Sequence, residues 1–127
     1  MDICFEGVGQ VAATFKAGEG VKPGMAVAMT GNGTVGLGTA GDLPCGVLLG
    51  GVRGGAAAVQ IGGAAEVAYS GDTAPTAGWQ ELVLDGAGGV RLANKVADQT
   101  AGKTVESGLH CLVLTVDTTA KTAVVCM

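Results

Sequence analysis

From Met25 to Thr30 the apolar side chains of Met25, Val27 and Met29 alternate with Ala26, Ala28 and Thr30, and the run stops at Gly31-Asn32-Gly33. Val35 and Leu37 resume the alternation beyond it. Period two on both sides of an Asn-Gly predicts a β-hairpin over 25–38, with both central residues of a type I′ turn at positive φ. A second hairpin is predicted over Gly46–Ile61. Gly46–Val52 is apolar, Arg53-Gly54-Gly55 supplies the turn, and Ala56–Ile61 ends in a Val-Gln-Ile alternation. Ala64–Ser70 sets Ala65, Val67 and Tyr69 against Ala64, Glu66 and Ala68, which reads as a half-buried strand closing the first half. At the N-terminus Ile3 and Phe5, then Val11, Ala13 and Phe15, share a phase that Gly7, Gly9 and Gln10 interrupt. Residues 1–17 are therefore expected as an extended segment, either pairing outside its own domain or forming an edge strand of the same sheet.

The pattern recurs. Shifted by 55, residues 31–38 match 86–93 at Gly31/Gly86, Gly33/Gly88, Val35/Val90 and Leu37/Leu92, and Val27/Leu82 and Met29/Leu84 keep the same phase upstream. Shifted by 65, Gly46–Ile61 meets Cys111–Cys126 at Leu49/Leu114, Ala58/Ala123 and Val59/Val124. Two echoes in the same order predict two quasi-repeated halves, 24–70 and 78–127, joined by the loop Gly71–Gly78. The growth of the shift places about ten extra residues within 94–110, a polar, turn-rich stretch with room for one short helix at most. The architecture expected is all-β: one compact barrel or sandwich of short strands in a single domain, 1–127.

Composition modifies this picture. Hydrophobic residues make up 48% of the 127, yet only Phe5, Phe15, Tyr69 and Trp79 are aromatic, so each buried residue removes little area from water. Twenty-four glycines add to the entropy lost on folding. A core this thin is often helped by subunit contacts, and an oligomer is expected. The net charge of −4, with scattered cations, argues against nucleic acid as the direct partner. Glycines and charges interrupt every apolar run well short of a membrane span, and the acids near the N-terminus do not suit a signal peptide.

No catalytic constellation is visible. Gly31–Gly36 and Gly36–Gly41 both match G-x-G-x-x-G, but neither opens a predicted helix, so no dinucleotide or other cofactor is expected. Cys4, Cys45, Cys111 and Cys126 form no CxxC pair, which favours free, buried thiols over a disulfide or a metal site. His110, the single histidine, adjoins Cys111; neighbours in a strand point to opposite faces and would not converge as a nucleophilic pair. Asp42, Asp72, Asp85, Asp98 and Asp117 lie in or beside predicted turns, where Asp bonds nearby backbone N–H groups.

Several segments resemble a known family: Ala13-Thr14-Phe15-Lys16-Ala17-Gly18, Gly31-Asn32-Gly33-Thr34-Val35, Val52-Arg53-Gly54-Gly55 and Val116-Asp117-Thr118-Thr119-Ala120-Lys121-Thr122 among them. They are similar to the small glycine- and alanine-rich capsid decoration (head cement) proteins of phages and prophages. The resemblance implies a non-enzymatic protein made in the bacterial cytoplasm and carried on the capsid surface of the virion. Its partners would be the major capsid protein and further copies of itself, often as trimers. On that reading Ile3, Phe5, Val11 and Phe15 are candidate strand-type contacts, and Arg53 is a candidate contact at a hairpin tip. Two other classes stay open: a carbohydrate-binding or adhesion module using Trp79 and Tyr69, and a small enzyme with His110 beside a carboxylate.

Overall fold

The computed structural model describes residues 10–71, 73–95 and 105–127, and among these it contains strands and turns but no helix. Ten strands follow in order: β1 (Val11–Ala17), β2 (Ala26–Gly31), β3 (Thr34–Gly36), β4 (Gly46–Leu48), β5 (Ala56–Gly62), β6 (Ala64–Ala68), β7 (Gly78–Leu84), β8 (Val90–Leu92), β9 (Leu109–Asp117) and β10 (Thr122–Cys126). The first five close a barrel in the order β1-β3-β2-β4-β5, and the last five form a sheet in the order β6-β10-β9-β7-β8. The all-β expectation holds.

Adding five to each strand label of the barrel reproduces the pairings of the sheet. The antiparallel pairs β2–β3, β2–β4, β4–β5 and β1–β5 become β7–β8, β7–β9, β9–β10 and β6–β10. Even the closure is echoed. Lys16–Thr34 and Ala17–Val35 join β1 to β3 in parallel, and a single parallel bridge, Tyr69–Val90, stands at the corresponding place in the second half.

Register refines the repeat. At offset 55, Ala28–Gly36 and Met29–Val35 become Val83–Arg91 and Leu84–Val90, as the sequence echo predicts. The offset of 65 fails on β5 and β10 by one residue. Val59, opposite Ala13, corresponds to Val125, opposite Ala65, and both valines are fully buried. The register shift between Val124 and Val125, which leaves Leu114 of β9 without an opposite number, supplies the extra residue. Because one residue of slip exchanges the two faces of a strand, the identity Ala58/Ala123 equates an exposed with a buried position.

Two boundaries also move. Residues 11–17 are not an appendage or an edge strand: β1 is a stave of the barrel, antiparallel to β5 from Val11 to Lys16. Its alternation matches a barrel wall, with Ala13, Phe15 and Ala17 turned inward and Ala12, Thr14 and Lys16 exposed. Ala64–Ala68, read as the end of the first half, pairs with β10 and opens the second. The expected I′ turn at Asn32-Gly33 is another departure, since only Gly33 takes positive φ, at 62°. A register shift between Met29 and Gly31 provides the twist that a second positive φ would have supplied. The Gly54-Gly55 turn does have both central residues there, at φ 59° and 78°.

Two cores hold the chain together. Val27, Val35, Leu48 and Val59 fill the barrel with Val21 and Ala57, and Phe15, Ala17, Leu37 and Cys45 pack at its margin. The second core lines the inner face of the sheet with Leu82, Leu84, Val90, Val113 and Val125. It also takes Ala26, Ala28 and Val47 from the outside of the barrel. The first half of β2, Ala26 to Ala28, is thus buried on both faces, which explains why it is apolar at every position, while Met29 to Gly31 are exposed. Its alanines let the sheet approach closely, and the Ala26 N–H donates to the Gly88 carbonyl at 2.9 Å. Farther along, Gly41 N–H donates to Leu84 O (2.9 Å) and Leu84 N–H to Asp42 O (2.8 Å), so the halves are stitched by backbone as well as by packing.

Candidate functional site

The turn carboxylates are occupied with structure. Asp42 Oδ2 accepts the Thr39 N–H (2.9 Å). Asp117 Oδ1 accepts those of Thr119 and Ala120 (2.9 and 3.1 Å). Asp85 Oδ1 accepts Ala87 and Gly89 N–H (2.8 and 3.0 Å), while its Oδ2 accepts the Ser70 hydroxyl (2.9 Å) and ties the turn to the end of β6. All three are turn caps, as their sequence positions predict; Asp72 and Asp98 lie outside the described residues. Gln60 is the one buried polar side chain among the described residues, and its amide donates to Ala64 O (2.9 Å) where β5 passes into β6.

The strongest charged contact is also a brace. Arg91 on β8 grips Glu106 with both terminal nitrogens, at 2.6 and 2.8 Å, and Glu106 Oε1 further accepts the Asn94 N–H (2.9 Å). The fork of hydrogen bonds from Arg91, then the Asn94 amide, holds the Glu106 carboxyl down at about 2. Sequence reading did not find this pair, because the insertion separates its members by fifteen residues. Lys95 bonds to Glu81 and lowers its pKa in the same way, with its Nζ also donating to Glu106 O (3.1 Å).

His110 and Cys111 diverge as strand neighbours must. His110 is exposed, while Cys111 is fully buried and its thiol is pushed up to about 11 by burial, then by nearby Cys126. No group of three His, Cys, Asp or Glu side chains gathers among the described residues. Cys45, Cys111 and Cys126 are free thiols, and burial raises Cys45 as well. The G-x-G-x-x-G matches fall on the β2–β3 hairpin and on the segment that runs from β3 toward Leu84, with no helix N-terminus to meet a phosphate.

Two outer surfaces remain. The first is the outside of β1 and β5, with Ala12, Thr14, Ala58 and, where the chain leaves β4, Leu49. Among the sequence candidates, Val11 is 56% exposed at one end of this ribbon, beside Ile61 at 41%. Arg53 stands at the other end, on the tip of the β4–β5 hairpin. Phe15 faces the barrel core and is half-buried, so it is a packing residue rather than an open contact. Ile3 and Phe5 lie outside the described residues. The second surface is the outer face of the second sheet. Trp79 is 65% exposed there and meets His110 edge-on, with ring centroids 5.4 Å apart at 83°. The β7–β9 register that joins them, Trp79–Leu112 and Glu81–His110, left no local signal in the sequence. Tyr69, the other large candidate for a sugar platform, is buried in the second core.

No protein-family model matches this chain, and no curated protein matches it.

Proposed function

We propose that this protein is a non-enzymatic structural protein that binds the outside of a phage head and stabilises the capsid lattice. The observation that carries the reading is the apolar end of the β1–β5 ribbon, where Val11 and Ile61 are exposed side by side. A register shift between Val11 and Ala12 leaves Ile61 without a partner across the pair, and its side chain is open to solvent. The occupied carboxylates and the resemblance of the Ala13–Gly18 and Val116–Thr122 segments to decoration proteins support the same reading.

The mechanism is additive. Each copy contributes a modest contact with the major capsid protein, and the shell multiplies it through many simultaneous contacts. The test is co-sedimentation with heads built from the source phage's major capsid protein. The intact chain is expected to pellet with heads and to raise the temperature at which they rupture. Val11→Asp and Ile61→Asp, both at exposed positions, should fold normally and weaken binding by about tenfold or more each. A chain that stays in the supernatant, or variants that bind as well as the original, would remove the proposal.

A further inference from the structure

The outer face of the second sheet is open around Trp79 among the described residues. It is covered farther along β7, where Val83 is buried and Lys95 pairs with Glu81, and its counterpart in the first half is covered. The outside of β2 and β4, at Ala26, Ala28 and Val47, is buried under the second core. The outside of β7 and β9 is open over Trp79, His110 and Leu112. Trp79, Leu112 and Cys126 form one cross-strand row, and Val124 sits beside Glu66 in a neighbouring row of the same face. The single tryptophan of the chain stands 65% exposed on this face, where covering it would remove a large apolar area from water.

We propose that this face is an interface between copies of the chain, packed head to tail against the β1–β5 face of the next copy. Charge selects that occupant. Glu81 is answered by Lys95 within the chain, but Glu66 has no ion-pair partner among the described residues. The β1–β5 face carries Lys16 and Arg53, equally unpaired among the described residues, around the small apolar centre of Thr14, Ala58 and Leu49. Pairing the Trp79 face with itself would bring two copies of Glu66 into one interface, whereas pairing unlike faces sets Glu66 against cations. The internal repeat makes the faces related in shape: Thr14–Ala58 in the first half corresponds to Glu66–Val124 in the second. An interface between unlike faces is heterologous, so it closes into a ring or continues as a filament. The inference goes beyond capsid binding and is tested without capsids.

Two variants isolate it. Trp79→Ala damages one face and Ala58→Arg the other, both at exposed positions; matched far-UV spectra and melting curves check that each folds. Light scattering after size exclusion, at tens of micromolar, should find the original chain above monomer mass and each variant at monomer mass. An equimolar mixture of the two variants retains one intact copy of each face and should give a species of two chains and no larger one. A monomeric original chain overturns the proposal, and so does a mixture that stays monomeric. A monomer whose Trp79 emission shifts only when capsids or a polysaccharide are added assigns the face to that partner and also overturns it.

Discussion

Gly46, at the start of β4, lies against β5, and a Cβ there would run into the Gln60 carbonyl and come within 2.8 Å of Val59 Cγ1. Neither neighbour can give, since one is backbone and the other is fully buried. Gly46→Ala is therefore expected to destabilise the chain by about 3 kcal/mol, read as a lowered denaturant midpoint at unchanged slope. Lys121 is the opposite case: it alone among the described non-glycine residues holds positive φ, at 54°, in the turn that Asp117 caps. Lys121→Gly removes that left-handed strain at some cost in unfolded-state entropy, for a net gain of about 0.5–1 kcal/mol in thermal unfolding. The two residues differ in legibility. Gly54-Gly55 announced its turn, because glycine is what two positive φ values select. Nothing around Gly46 distinguishes a glycine needed for close approach from one among twenty-four.

At the scale of elements, the repeat was readable wherever apolar phase and turn coincide, as in β2–β3 and β7–β8. It blurred on β10, because a bulge shifts register without leaving a mark in composition. The insertion before β9 reads in sequence as polar and turn-rich, with room for one short helix at most. Its residues 96–104 lie outside the described residues, and its C-terminal end carries Glu106, which pins it to β8 through Arg91. That clip makes a pH prediction. The Glu106 carboxyl titrates near 2 when folded against an ordinary 4.5, so the unfolded chain takes up the proton first. The stabilisation is complete above about 4.5 and is lost as pH falls toward 2. Glu106→Gln should lower stability at neutral pH and flatten its decline across that acidic window, measured by urea melts at stepped pH. Glu81 leans the same way through Lys95, so some slope should persist in the variant. An unchanged slope would mean that the pair contributes nothing to folding.

For the whole molecule, the decisive feature is that β1 closes the barrel. Sequence alone could not settle this, because the partners of β1 are β5, some forty residues away, and two residues of β3. A strand that meets its neighbours only after long loops close leaves no local trace of the pairing. The consequence separates folding from binding. Removing residues 1–9 leaves every described pairing of β1 in place, whereas removing 1–17 strips the wall from β5 and opens the core around Val59 and Ala57. The shorter truncation is expected to melt cooperatively within a few degrees of the intact chain. The longer one should lose its cooperative transition and expose the unpaired edge of β5 to aggregation. Both are checked by calorimetry and light scattering. If the longer truncation melts like the intact chain, β1 is dispensable and the barrel closes without it. If it collapses as expected, only the shorter truncation can report on capsid binding, since loss of binding by the longer one would reflect loss of the fold.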